Sequence, residues 1–393
     1  MASVRAWIFF VSFAAWAGAT GAAELPLPPV SGELSGDYTP LNLPGAPTLH
    51  WKLGLAPDTR DTRALTLDVE GTGTVLHLTL KLTDLESGTW RIEDGKVDIA
   101  PWLAAVLARL GDEFAGASAA GRLAVTGEGT WREGLPAGRA TIVLRDGRLD
   151  DPAHKLSLEG MALDLTIDDL AARRSAPAQT LTWTSGRYDV VPLGPGRIEF
   201  ALAGDAVRVT AAVLSAFGGE LRLGEFTISL TRPEFAVTAR ATALDVQQLL
   251  PLLPPVLAEA HGRLDGSLTL KRDASGIQIG AGRLALRRGE AADLRLAPRP
   301  GLLSASLPPT VLKYYPGLGQ IETGQIPLRA ELLEIEFTPQ GDAEGRTASV
   351  HLAGGPVDPK LHAPVDLVVN VRGPLESLVK LGTNSRLHFG GAH

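Results

Sequence analysis

Acidic side chains are the first candidates for chemistry in this sequence. "DGRLDDP" carries Asp146, Asp150 and Asp151, and "TIDDL" carries Asp168 and Asp169. Closely spaced carboxylates of this kind can bind calcium. Solvated turns explain both clusters better, so the sequence predicts no metal site.

The other signals of catalysis are missing from the sequence. Cysteine is absent, which excludes thiol catalysis, disulfides and cysteine-based metal sites. The eight histidines are scattered without the spacing of metal ligands. There is no Gly-x-Ser-x-Gly elbow and no phosphate-binding glycine loop. We therefore expect a protein that is not an enzyme and that needs no cofactor.

Gly-Arg dipeptides recur along the chain. Glycine supplies the positive φ that tight turns need, and the arginine would then open the next strand facing solvent. The alternative, in which these arginines read phosphate groups, is the less favoured one. The glycines of the dipeptides are Gly121, Gly138, Gly147, Gly186, Gly196, Gly262, Gly282 and Gly345.

Composition and charge narrow the function classes. Of the 393 residues, 45% are hydrophobic and 21% are charged, which is typical of a globular protein. The net charge of −7 does not favour nucleic acid as a partner.

The N-terminus indicates export. Arg5 precedes an apolar run that ends in small residues before Glu24, so residues 1–23 are predicted to be a signal peptide, with an uncleaved anchor as the alternative. Residues 24–50 are rich in proline and glycine and form a predicted lead-in. No later segment is long and apolar enough to span a membrane.

From Trp51 onward, apolar and polar residues alternate with a period of two. This pattern predicts a mainly β protein with an antiparallel sheet that has one wet face. Three segments show it most clearly and supply the candidate apolar face: Leu76, Leu78, Leu80 and Leu82; Ile198, Phe200 and Leu202; Phe226, Ile228 and Leu230.

Four short helices interrupt the strands. They are predicted in "PWLAAVLARLG", in "LDVQQLLPLLPPVL" with Asp245 as N-cap, in "PPTVLKYYPGLG", and in "GPLESLVKLG" near the C-terminus. The first two helices are each followed by a Gly-Arg-Leu segment, at Gly121 and Gly262, which is the weak self-similarity of a repeating β array.

Three segments resemble one family: "GRLDGSLTLKRDASGIQIGAGRLAL", "VLSAFGGEL" and "VDLVVNVRGPLESLVKLG". They are similar to the YdbH-type proteins, which carry a dicarboxylate transport domain label and belong to the AsmA-like, bridge-type lipid transporters. The similarity runs from about Trp102 to Phe389 and covers the C-terminal half of full members.

The resemblance implies a fold and a function for residues 51–393. The fold would be a long, curved antiparallel sheet forming an open half-tube, with a few short helices at its edges. Its apolar face, including the leucines of "TVLHLTLKL", would carry phospholipid acyl chains through the periplasm, between the inner and outer membranes of a diderm bacterium. Implied partners are the inner membrane or a protein in it, and a small outer-membrane lipoprotein that extends the sheet.

Two other functions stay open at this point. The first is a structural or scaffolding protein of the envelope, in which the apolar faces pack on each other. The second takes the domain label literally, as an accessory role in dicarboxylate uptake. The C-terminal helix, with Leu375, Leu378 and Leu381 on one face, is predicted to cover the end of the groove, with gating of lipid exit or positioning of a partner strand as alternatives.

Overall fold

The computed structural model describes the chain from Gly32 to Arg372 with several gaps. The described ranges are 32–40, 45–56, 63–83, 87–110, 116–133, 135–230, 234–250, 257–273, 276–298, 308–315, 317–339, 346–358, 360–361 and 364–372. The predicted signal peptide and the C-terminal helix with Leu375, Leu378 and Leu381 lie outside these ranges.

The chain divides into two compact units, Met1–Ala212 with Thr227–Arg232, and Val213–Phe226 with Pro233–His393. The strands that lie wholly within the longer segment of the first unit are β1 Gly32–Tyr38, β2 Leu49–Ala56, β3 Arg63–Gly71, β4 Thr74–Leu82, β5 Ser87–Asp98, β6 Ser118–Arg132, β7 Leu135–Asp151, β8 Leu156–Asp169, β9 Arg174–Ser175, β10 Gln179–Trp183, β11 Ser185–Tyr188 and β12 Val191–Ala203.

The remaining strands are β13 Ala206–Ala216, β14 Gly219–Leu223, β15 Phe226–Ser229, β16 Phe235–Asp245, β17 Leu257–His261, β18 Arg263–Asp273, β19 Gly276–Leu286, β20 Ala292–Leu296, β21 Leu328–Phe337, β22 Arg346–Pro356 and β23 Val365–Arg372. The helices are α1 Ile99–Leu110, α2 Val246–Leu249, α3 Pro309–Tyr314 and α4 Gly317–Glu322.

The predicted fold class is confirmed. The described residues form a mainly β structure built on one large antiparallel sheet, with few and short helices. The half-tube curvature stays a prediction. None of the helices in the described ranges has the length and apolar character that a membrane-spanning helix requires.

Three of the predicted helices fall partly within the described residues, and each of these regions contains a helix there. Helix α1 starts at Ile99, two residues before Pro101, which its first turn tolerates because the N–H groups there have no intrahelical partner. The predicted cap of α2 is confirmed, since the Asp245 carboxylate accepts a hydrogen bond from the Gln247 N–H at 2.9 Å. The third region contains two short helices, α3 and α4.

The two Gly-Arg-Leu segments occupy equivalent places in their units. In each unit a strand runs into a short helix, and a later strand pairs antiparallel with the first one. Arg122 faces Asp98 across the first pair, and Arg263 faces Asp245 across the second. The self-similarity in the sequence therefore corresponds to a repeated strand–helix–strand arrangement.

The described glycines of the Gly-Arg dipeptides do not lie in hairpin turns, so that part of the prediction was wrong, although Gly121, Gly138 and Gly262 have the predicted positive φ. Six lie within strands, Gly262 lies between β17 and β18, and Gly345 is outside the described residues. A Cβ at Gly121 would lie 2.8 Å from Leu144 Cδ1, and one at Gly282 would lie 2.6 Å from Leu268 Cβ. These glycines make room for apolar side chains of neighbouring strands. The arginines that follow the described glycines face solvent, as predicted.

Candidate functional site

In the first unit, the strand register aligns apolar residues into continuous rows on one face of the sheet. One row crosses β1 to β8 through Leu34, Leu53, Leu67, Leu78, Ile92, Gly127, Ala140 and Ile167. A second row crosses β5 to β12 through Val97, Leu123, Leu144, Leu163, Leu181 and Ile198. We call these residues the apolar rows.

The structure places two sets of predicted face residues on this one surface. Leu78 belongs to the first row, and the other leucines of β4 share its side of the strand because side chains alternate. Ile198 belongs to the second row, and Phe200 and Leu202 share its side of β12. Segments that are more than a hundred residues apart in sequence thus contribute to the same face.

The exposure of this face changes along the sheet. Near β3 to β6 its side chains are buried, with Val69 0% and Leu80 7% exposed. They form two core clusters, one of which includes Trp102 of α1. From β8 to β12 the leucines of this face, such as Leu165 and Leu181, are only half-buried, whereas Trp183 beside them is buried. That part of the face therefore keeps some apolar surface exposed.

Tryptophans cover glycines on the same face. Each of four tryptophan rings lies against a glycine of the neighbouring strand: Trp51 against Gly36, Trp90 against Gly127, Trp131 against Gly88, and Trp183 against Gly196. An aromatic ring over a cross-strand glycine restores the packing that the missing side chain would supply. Sequence reasoning missed these pairs, because the pairing register is needed to recognise them.

The indole N–H groups of two of these rings are satisfied by backbone carbonyls. Trp90 donates to the Thr130 carbonyl at 3.1 Å, and Trp183 donates to the Gly194 carbonyl at 3.1 Å. The buried Trp131 N–H has no hydrogen-bond partner. Packing and a hydrogen bond therefore both hold the Trp90 and Trp183 rings in place.

The opposite face of the first unit is polar and ion-paired. Guanidinium and carboxylate groups meet across neighbouring strands in the pairs Arg91–Glu128 at 2.9 Å, Arg122–Asp98 at 2.6 Å, Arg145–Asp164 at 2.6 Å and Arg139–Asp168 at 3.5 Å. Exposed pairs of this kind contribute little to the stability of a fold, because water screens the attraction between the charges. Burial of the apolar side chains, and not these pairs, determines which face of each strand meets solvent.

One of these pairs gives a pH-dependent prediction. The Arg122 guanidinium donates a hydrogen bond to Asp98 and holds the pKa of that carboxyl below its ordinary value of 3.8. A lowered pKa in the folded state means that the ionised carboxylate stabilises the fold above the ordinary value, and that this contribution is lost as the pH falls through the lowered pKa.

Replacing Arg122 with glutamine is therefore expected to raise the pKa of Asp98 towards 3.8 and to make the first unit less resistant to acid. Carbon-detected NMR titration of the side-chain carboxyl measures the pKa directly. Arg91→Gln is the control, because its partner is Glu128. An unchanged Asp98 pKa in Arg122→Gln would contradict the assignment.

One member of each acidic cluster makes a local contact. Asp151 meets His154 Nδ1 at 2.7 Å, and Asp169 accepts a hydrogen bond from the Ala172 N–H at 2.9 Å, as in a turn. Within the described ranges, no three acidic or histidine side chains are grouped so that they could hold a metal ion.

In the second unit, much of the corresponding apolar face is a closed core. Leu264, Leu284 and Ile335 are each at most 2% exposed, and Ile321 of α4 packs with them at 0%. Helix α2 contributes Val246 and Leu249 to the same cluster. Over this part of the unit, protein side chains occupy the space that a lipid would need.

The third set of predicted face residues, Phe226, Ile228 and Leu230, is divided between the two units. The Phe226 ring packs on Phe235 in the second unit, with ring centroids 4.9 Å apart. Ile228 is half-buried. Strand β15 ends at Ser229, and Leu230 follows it with 60% of its surface exposed.

These observations define an antiparallel β-sheet protein with one apolar and one ion-paired face in its first unit. The family model for YdbH-like proteins, described as "Intermembrane phospholipid transport protein YdbH", matches residues 84–300. The match covers more than half of the chain, and the chain belongs to the YdbH-like family. No curated protein and no solved structure matches the chain.

Proposed function

We propose that the protein binds phospholipids by their acyl chains on the apolar rows of the first unit and conducts them between the inner and outer membranes of a diderm bacterium. The observation that carries the proposal is the continuity of the second row, which reaches the half-buried Leu181 and Ile198. The family description, intermembrane phospholipid transport, supports the same reading.

Physical chemistry explains how such a face holds a lipid without a specific site. Each methylene group moved from water to an apolar surface contributes about 0.8 kcal/mol. Because this gain depends on area and not on direction, a lipid is held strongly and still slides along the rows. The acyl chains would be recognised, while the rows themselves make little distinction between head groups.

The proposed location and partners follow from the same function. A protein that carries lipids between two membranes works in the periplasm, which agrees with the export signal predicted in residues 1–23. The free edge of a terminal strand can accept a strand from another chain. We propose a small outer-membrane lipoprotein at the end of the sheet, with Leu375, Leu378 and Leu381 at that junction, and an inner-membrane contact at the other end.

The closed core of the second unit favours one alternative, a scaffolding protein of the envelope. There the apolar face is filled by α2, α4 and short strands. If the first unit were filled in the same way by a protein partner, it would carry no lipid. Dicarboxylate uptake has less support, because arginines of the first unit meet carboxylates on the polar face.

Mass spectrometry of protein purified from periplasm without detergent tests the proposal. We expect phospholipid to co-purify with the folded chain and to be displaced by added lipid. The scaffolding alternative predicts lipid-free protein in repeated preparations, together with strong hydrogen-exchange protection from β8 to β12. That combined result would overturn the proposed function.

A further inference from the structure

A polar cleft lies on the ion-paired face of the first unit, near the ends of β6, β7, β8 and β11. Its volume is about 560 Å³. The lining includes Ser118, Arg148, Asp150, Ser157, Glu159 and Arg187. The cleft is separated from the apolar rows by the sheet itself, because strand side chains alternate between the two faces.

The strand register orders four of the lining residues in a line. Ser118 faces Asp150, Asp150 faces Ser157, and Ser157 faces Arg187. Neighbouring strands are about 4.8 Å apart, so the backbones that carry Asp150 and Arg187 are separated by about 10 Å. Ser157 lies on the strand between the two that carry Asp150 and Arg187.

The charges of the cleft are only partly matched by protein partners. Arg148 and Glu159 form an ion pair with each other. Among the residues that the structure describes, Asp150 and Arg187 make no side-chain hydrogen bond or ion pair. Elsewhere on this face, Arg91, Arg122 and Arg145 each meet a carboxylate. The cleft therefore presents one available anion and one available cation, with no net charge among its four charged side chains.

We propose that the cleft binds a zwitterion that combines a primary ammonium group with a phosphodiester, the chemistry of a phosphoethanolamine head group. The ammonium group donates hydrogen bonds to the Asp150 carboxylate. The phosphate oxygens accept hydrogen bonds from the planar guanidinium group of Arg187. This group can donate two parallel hydrogen bonds to a phosphate, which a lysine ammonium cannot. The Ser157 hydroxyl can bond to either group.

The charge balance of the cleft favours this ligand over simpler ones. A simple anion would be attracted by Arg187 and repelled by Asp150. A simple cation would be attracted by Asp150 and repelled by Arg187. A choline head group carries a quaternary ammonium that cannot donate hydrogen bonds to Asp150. The site should therefore distinguish ethanolamine from choline, which the apolar rows cannot do.

Calorimetric titration of the full chain with glycerophosphoethanolamine, glycerophosphocholine and inorganic phosphate tests the proposal. We expect binding of glycerophosphoethanolamine, with clearly weaker binding of the other two probes. Asp150→Asn and Arg187→Gln should each weaken it by about tenfold or more, the loss of a charge-assisted hydrogen bond. Arg197→Gln is the matched control, because Arg197 lies outside the cleft and pairs with Glu199 at 2.9 Å.

The source of the head group is assigned by flotation with vesicles of phosphatidylcholine, with and without phosphatidylethanolamine. If the protein binds vesicles that contain phosphatidylethanolamine, and Asp150→Asn abolishes this binding, the ligand is a lipid. If the protein binds only the soluble probe, the ligand is a free head group. Equal binding of the choline probe, or no binding of glycerophosphoethanolamine, would overturn the proposal. Because neither soluble probe has acyl chains, this result is independent of lipid binding on the apolar rows.

Discussion

Replacing Gly196 with alanine is expected to lower the free energy of unfolding by about 3 kcal/mol, at the upper end of the usual cost of overpacking. A Cβ at this position would lie 2.0 Å from Cζ2 of Trp183. The indole cannot turn aside freely, because it is buried and its N–H donates to the Gly194 carbonyl. Urea denaturation followed by circular dichroism measures the change.

Two further variants test whether the loss of stability comes from the contact between Gly196 and Trp183. Gly32→Ala is the matched control, because a Cβ there meets nothing within 4 Å, and its stability should change by less than about 0.5 kcal/mol. In a Trp183→Leu background, Gly196→Ala should cost much less, since the ring that causes the clash is gone. An equal cost in both backgrounds would show that the tryptophan–glycine contact is not the cause.

Replacing Ile198 with aspartate is expected to reduce the phospholipid that co-purifies with the protein by at least about fivefold, because a carboxylate beside acyl chains is left without a partner in an apolar environment. Ile198 faces Leu181 in the second apolar row and is half-buried. Quantitative lipid mass spectrometry, normalised to protein, gives the readout.

The control places the same charge on the other face of the sheet. Thr182 is the residue after Leu181, and it faces Arg197 across the strand pair. Thr182→Asp should therefore leave the lipid content near that of the unmodified protein. Circular dichroism and thermal unfolding check that both variants are folded. Equal lipid content in two folded variants would contradict the proposed role of the apolar rows.

The strands and helices were largely predictable because their signals are local. Alternation of apolar and polar residues placed β4 and β12, and Asp245 followed by a short apolar run placed α2 and its cap. The end of β15 before Leu230 was missed, since alternation continues in the sequence after the strand has ended.

The composition of the candidate site was less predictable, because it depends on pairing between distant strands. Gly196 reads locally as a turn residue, and its role becomes visible only when Trp183 is placed against it. The same holds for the polar cleft, where Asp150 and Arg187 come together only through the shared neighbour Ser157. Sequence alternation gives the face of each residue but not its cross-strand partner.

Site-specific photo-crosslinking in cells tests the central claim most directly. A photoreactive amino acid is placed at Leu181, on the apolar rows, and in a second variant at Thr182, on the opposite face of the same strand. The proposed function predicts crosslinked phospholipid at position 181 and none at position 182. Crosslinks to protein alone at position 181, or equal phospholipid labelling at both positions, would contradict it.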